Sequence, residues 1–217
     1  MSLTAELGVF VNRVTREGTS PEAREAAKIG LIDCLGTMLA GMNEPATQTI
    51  LDALSPLPAG HCSIGLGPLQ TCDTYAALIN GVAAHALDFD DVSLRGHPSA
   101  VMVPAILAVA QTRGSTGQQI LDAYIAGYEV WGNLVDREKG MHPIKGWHTT
   151  GIFGSIGAAA ACAVLYGLDE KQASHAIGLG ATQSAGLMSN FGSMAKPLHA
   201  GHAAQAGVLA ARLASKG

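Results

Sequence analysis

Charge is scarce in this sequence. Only 14% of its 217 residues are Asp, Glu, Lys or Arg, against a typical quarter. So few charges imply an unusually buried surface, part of it expected to lie against another subunit or domain. No basic run stands out and the net charge is −4, so nucleic acid is not an expected partner. Aromatics make up 5%, too few for a sheet rich in Val, Ile and aromatic pairs. The four cysteines, Cys34, Cys62, Cys72 and Cys162, form no C-x-x-C pair. They read as free, mostly buried thiols in a reducing compartment. The first residues hold no apolar run and no small-residue cleavage site, so no signal peptide is expected and the protein is placed in the cytoplasm. Nucleotide and hydrolase fingerprints are missing too. There is no G-x-x-x-x-G-K-[ST] and no G-x-S-x-G, and Gly65-Leu-Gly67 lacks the third glycine and the preceding long strand.

What the chain does have is small and apolar. Apolar residues reach 48%, and there are 27 glycines beside abundant alanine. Small residues let helices approach closely, so the expected fold is all-α, helix on helix, in one large domain. Two stretches, 146–168 and 172–195, carry no formal charge. Their length alone suggests membrane spans. Their content of Gly, Ala, Ser and Thr, broken by His148 and His175, predicts helices buried inside protein and no membrane partner.

Helix starts are legible. Ser20-Pro21-Glu22 supplies a cap, a proline for the first helical position and an acid for the positive dipole end. A wide apolar face follows from Ala26 to Leu39. A short helix is expected over 45–54, then a loop over 55–72 with one short strand near Cys62–Leu66. Asp73 is expected to cap a helix to about Leu87, and Ser99 one through Gln111 with Pro104 confined to its first turns. Ser115-x-x-Gln118 reads as a capping box for a helix to about Val135. A loop over 136–147 and helices from about Thr150, Glu170 and Gly201 complete the chain.

Three clusters can carry chemistry. Asp88-Phe-Asp90-Asp91 precedes Gly96-His97-Pro98-Ser99 on one loop. A carboxylate beside an imidazole fixes its tautomer and raises its pKa, which suits acid–base work; a solvated loop with helix-capping aspartates fits the same spacing. Gly146-Trp147-His148-Thr149-Thr150-Gly151 opens a helix whose N-terminus suits a carboxylate, or whose threonine is simply its cap. In Met194-Ala-Lys196-Pro-Leu-His199-Ala-Gly-His202, Lys196 ends a charge-free stretch and suits an anionic substrate. His199 and His202 share a helix face, but no third ligand or tighter motif points to a metal. His61, His85, His142 and His175 read as structural.

Taken together, these pieces resemble the MmgE/PrpD family. The resemblance runs through Asn80-Gly81, His85-Ala-Leu-Asp88-Phe-Asp90-Asp91, His97-Pro98-Ser99 and Pro104-Ala105. It continues through Gly146-Trp-His148-x-Thr150-Gly151 with Gly154-x-x-Gly157, and Met194-x-Lys196-Pro-Leu-His199-x-Gly201 with Gly207. It covers essentially the whole chain. It implies a lyase acting on a small polycarboxylate without metal or organic cofactor, usually as a homodimer. The family includes 2-methylcitrate dehydratase, cis-aconitate decarboxylase and an epimerase of iminodisuccinate. It joins a large helical domain to a smaller α+β lid domain and runs to roughly twice this length. The expectation is therefore a truncated helical domain over residues 1–217, lacking the lid and the C-terminal helices, with little or no activity alone. On this reading His97, His148 and Asp88 are catalytic, and Lys196, Thr150 and Ser93 bind substrate. A 2-methylcitrate dehydratase-like hydro-lyase is the leading expectation. Decarboxylase or epimerase activity, or an inactive helical binding module, are the alternatives. Where the decarboxylases often carry Thr after the second of the paired aspartates, this chain has Val92.

Overall fold

The helices begin where short polar side chains meet the free N–H groups of a first turn. A computed structural model describes residues 1–217, apart from the side chain of Met141. Ser2 and Ser20 cap α1 (Leu3–Glu17) and α2 (Pro21–Gly41) by accepting from Ala5 and Ala23 N–H. Then come α3 (Pro45–Leu54), a two-stranded ribbon of β1 (Cys62–Ser63) and β2 (Gln70–Thr71), α4 (Asp73–His85) and α5 (Pro98–Arg113). The remaining elements are α6 (Gly117–Arg137), the single turn α7 (Met141–Ile144), α8 (Thr149–Tyr166), α9 (Glu170–Thr182), a 3-10 turn over Met188–Asn190, and α10 (Ala195–Ala214). The fold is all-α. The antiparallel ribbon, pairing Cys62 with Thr71 and Ser63 with Gln70, is the only sheet among the described residues.

Several ends differ from expectation. Helix α1 was not anticipated, although Leu7, Val11 and Val14 are buried at helical spacing. The capping box of α6 is Thr116 with Gln119, one residue beyond the expected pair, and a second box joins Asp169 to Gln172 on α9. In α5 the cap position belongs to His97, so Pro104 lies inside the helix rather than in its first turns. Ser99 is not the cap. Its N–H and hydroxyl both donate to Asp91, 3.1 and 2.9 Å away, so the loop carboxylate serves the helix start. Helix α10 begins at Ala195, six residues before the expected Gly201.

Helix α8 is the centre of the core. Ala158 through Ala163 are fully buried, and α5, α6, α9 and α10 pack around it. By length and composition α8 could cross a membrane, but 83% of it is buried inside the domain. The second charge-free stretch does not match its reading. Only its first part is helical. Residues 183–194 leave the helix, and Gly186 and Gly192 adopt positive φ.

Small residues set the helix crossings that matter for function. A Cβ on Gly201 of α10 would stand 2.3 Å from the Leu78 carbonyl oxygen of α4, and one on Gly81 would stand 2.7 Å from the Gly201 Cα. The two backbones therefore touch, which only glycine permits. At one end of this pair Arg212 donates to Asp73, 2.9 Å. At the other, Lys196 reaches the loop that follows His85. The helices thus run antiparallel and bring the end of α4 to the start of α10.

Candidate active site

The loop between α4 and α5 is short, acidic and held under strain. Asp88, Leu94 and Arg95 all adopt positive φ. For a leucine or an arginine that conformation costs on the order of 1–3 kcal/mol. Neighbours hold it in place. The buried Trp131 indole donates to the Leu94 carbonyl, 3.1 Å, and Ser93 and Gly96 exchange backbone hydrogen bonds. The Thr150 hydroxyl accepts from the His97 N–H, 3.2 Å.

This loop, the end of α4 and the starts of α8 and α10 converge on four imidazoles. His85 sits in the middle and is 1% exposed. Its ring centroid lies 4.6 Å from His97 and 6.1 Å from His148. His148 meets His199 with Nδ1 atoms 3.0 Å apart, and Phe191 covers it edge-on. Asp90, with no exposed side-chain surface, lies 3.0 Å by both oxygens from His85 Nδ1. It is also 3.1 Å from His97 Nδ1, an ion-pair contact whose angle falls short of a hydrogen bond. Asp88, half-exposed, lies 3.7 Å from His97 Nε2 and accepts a hydrogen bond from Lys196. Lys196 also stands over the Phe191 ring. A cleft of about 300 Å³ opens on this cluster, lined by Glu44, Pro45, His85, Asp88, Met194 and Lys196.

The electrostatics divide the histidines. Burial opposes charge on His97, but the Asp90 carboxylate beside it outweighs burial, and the pKa is raised. Burial, reinforced by His85, His199, Lys196 and His97, pushes His148 down to about 3. His199 is also lowered, by burial first and then by His202 and His85. Asp90 is lowered despite its burial, because two imidazoles face it.

Four of the expected residues, Asp88, His97, His148 and Lys196, come together here. Two are placed differently. The Thr150 hydroxyl is wholly buried and serves the His97 backbone, so it supports the site from behind. Ser93 closes a tight turn through its two backbone hydrogen bonds with Gly96, and its side chain lies near the Tyr128 phenol. Residues read as structural or left unassigned prove central instead. His85 and Asp90 lie within the same motif as Asp88, five residues apart on a helix end and its loop. His199 lies one helical turn after Lys196, a spacing that puts both on one face.

The donor atoms of His85, Asp88, Asp90 and His97 lie within 4.8 Å of one another, the density a metal would need. The set does not suit one. The Lys196 ammonium already sits on Asp88, and Asp90 is shared between two imidazoles, so a metal would face a resident cation. A second polar chain, Glu138 to His142 to Thr149 with links of 2.7 and 2.7 Å, has the order of an acyl-transfer triad. Thr149 is buried, though, and the chain ties the 138–149 loop to the start of α8 just after His148.

An all-α domain thus brings a His–Asp–Lys cluster to a small cleft at the meeting of its antiparallel α4 and α10. Residues 5–217 match the MmgE/PrpD N-terminal domain, and the chain belongs to that family. It is similar to human cis-aconitate decarboxylase, 35% identical over 150 residues, which is 66% of this chain and 31% of that protein. A cis-aconitate decarboxylase-like protein of Aspergillus oryzae is 28% identical across 100% of this chain and 47% of its own length. The cis-aconitate decarboxylase of Aspergillus terreus is 27% identical across 99% of the chain and 46% of its own length. The chain thus spans less than half the length of these relatives.

Proposed function

We propose that the chain forms the helical wall of a lyase site for a small polycarboxylate, with His148 as general base and His97 as general acid. The observation that carries this reading is geometric: His97 and His148 both pack on His85, with ring centroids 4.6 and 6.1 Å away, and Asp88 and Lys196 stand beside His97. The carboxylates facing His97 favour its protonated form and burial keeps His148 neutral, which suits the first to donate a proton and the second to accept one. Removing a proton beside a carboxylate builds negative charge next to an anion, and cations aimed at that charge lower the barrier. Lys196 is the group for this. Its present partner, Asp88, is half-exposed, so a substrate carboxylate can join or replace it. His199 meets His148 Nδ1 at 3.0 Å and so helps to fix the orientation of the His148 ring.

A base paired with an acid is what elimination of water needs. His148 takes the proton from the carbon next to a carboxylate, and His97 protonates the departing hydroxyl. A 2-methylcitrate dehydratase-like reaction is therefore the first reading. The second is decarboxylation of cis-aconitate, favoured by the names of the relatives. It would need only the acid, His97, to protonate the carbon that loses carbon dioxide. A homodimer is the expected assembly, supported by the exposed apolar residues Ile29, Ile32 and Leu39 on α2.

The test is a turnover screen of 2-methylcitrate, cis-aconitate and related acids, on this chain and on the chain joined to a lid domain from a relative. Water loss abolished by His148→Gln and by His97→Gln supports the dehydratase. Carbon dioxide release that survives His148→Gln and falls in His97→Gln supports the decarboxylase. No turnover of any of these acids by either protein, each shown to be folded, overturns the lyase reading.

A further inference from the structure

We propose that Asp90 and His85 are positioning residues of this site: the buried Asp90 carboxylate holds both imidazoles by their Nδ1 sides, and the arrangement places its one compensating positive charge on His97 rather than on His85. The catalytic meaning of this clamp rests on the acid–base reading above; the clamp itself does not.

The argument is a count of protons and partners. One carboxylate offsets one positive charge, and two imidazoles face it. His85 donates from Nδ1 to Asp90, while its Nε2 is buried and without a hydrogen-bond partner. A second proton there would create an orphaned, charged N–H in the core, which is costly. A bare Nε2 lone pair costs less, so His85 is the Nδ1–H tautomer. His97 has what His85 lacks. Asp88 lies 3.7 Å from its Nε2, and its side chain keeps 14% exposure. Each of its ring nitrogens therefore has a carboxylate in ion-pair range, Asp90 at Nδ1 in a contact short of hydrogen-bond geometry and Asp88 at Nε2.

The other groups around His97 are Lys196, whose charge opposes protonation, the Asp91 carboxylate, which is already engaged by Ser99, and the rings of His85 and His148. Against that opposition Asp90 is the nearest and most buried anion, and it dominates because a buried charge is poorly screened. Packing His85 against both His97 and His148 then fixes where the two rings stand. Asp90 acts through His97 and touches no substrate.

The test is a titration of ¹⁵N-histidine-labelled chain by NMR, with resonances assigned from His85→Gln, His97→Gln and His148→Gln. In the unaltered chain, His85 is expected to show a protonated Nδ1 and a bare Nε2 while His97 carries its extra proton, and His97 to titrate above the ordinary imidazole midpoint of about 6.5. Asp90→Asn should lower the His97 midpoint by about one pH unit or more, a tenfold change in its acid constant. Asp90→Glu should recover part of that shift, and Asp88→Asn, on the exposed side, should move it less. A His97 midpoint that ignores Asp90→Asn overturns the proposal. So does a doubly protonated His85 beside a neutral His97 in the unaltered chain, a reading available even if Asp90→Asn does not fold. No turnover is involved. A chain inert toward every acid tried, whose His97 still follows Asp90, keeps the clamp and loses the lyase reading.

Discussion

His148→Gln should flatten the acid side of the stability curve. His148 is 5% exposed, and its pKa is lowered from 6.5 to about 3 by burial and by the cationic and imidazole groups around it. The unfolded chain therefore takes up a proton near pH 6.5 while the folded chain refuses it. Stability contributed by the neutral ring is present above pH 6.5 and is lost as pH falls toward 3. Each pH unit inside that window costs about 1.4 kcal/mol, so the step from pH 7 to pH 5 costs about 2 kcal/mol from this ring. His199 and His202 are lowered as well and act in the same sense, while the raised His97 acts in the opposite one. Comparing the unaltered chain with His148→Gln isolates the one ring. Urea unfolding at pH 5, 6 and 7 gives the free energies by linear extrapolation. The loss between pH 7 and pH 5 should be smaller in the variant by about 2 kcal/mol. Equal losses in the two proteins would refute the buried neutral imidazole, and with it the choice of His148 as base.

Two further outcomes follow from the packing. Thr150→Val keeps the volume but removes the acceptor of the His97 N–H; stability should fall by about 1–3 kcal/mol, read by denaturant unfolding, and a neutral result would show that this loop does not need the contact. Gly201→Ala should cost about 1–3 kcal/mol or more, because its Cβ meets the Leu78 carbonyl at 2.3 Å. Gly36→Ala, where α2 offers open space, should instead stabilise by roughly 0.5–1 kcal/mol. Melting temperatures that move the same way in both glycine variants would contradict the assigned α4–α10 contact.

Helix class, most helix positions and the three chemical clusters were legible in the order of residues, because they are local properties. Caps, prolines and apolar period act over one or two turns, which is why Ser20-Pro21 and the α6 start were readable to within a residue. Helix α10 starts at Ala195 rather than Gly201, with Pro197 in its first turn, where the missing N–H has no intrahelical partner to lose. Asp88, His97, His148 and Lys196 are named through the resemblance of their segments to the MmgE/PrpD family, because spacing alone fits a solvated loop or a helix cap equally well.

Which side chains face the cleft is a different matter. Thr150 and Ser93 belong to the same segments, yet one is buried behind His97 and the other is taken up in a backbone turn with Gly96. His85 looked structural because it sits in an apolar helix. It becomes the centre of the site only when Gly81 and Gly201 let α4 and α10 touch. The sequence by itself determined the inventory: an all-α chain with a few titratable groups concentrated in three segments. The tertiary structure decided their charges. A pKa depends on burial and on neighbours within a few ångströms; for His97 and His148 those neighbours include groups from distant segments, Lys196 among them, while Asp90 takes its two imidazoles from the adjoining helix end and loop.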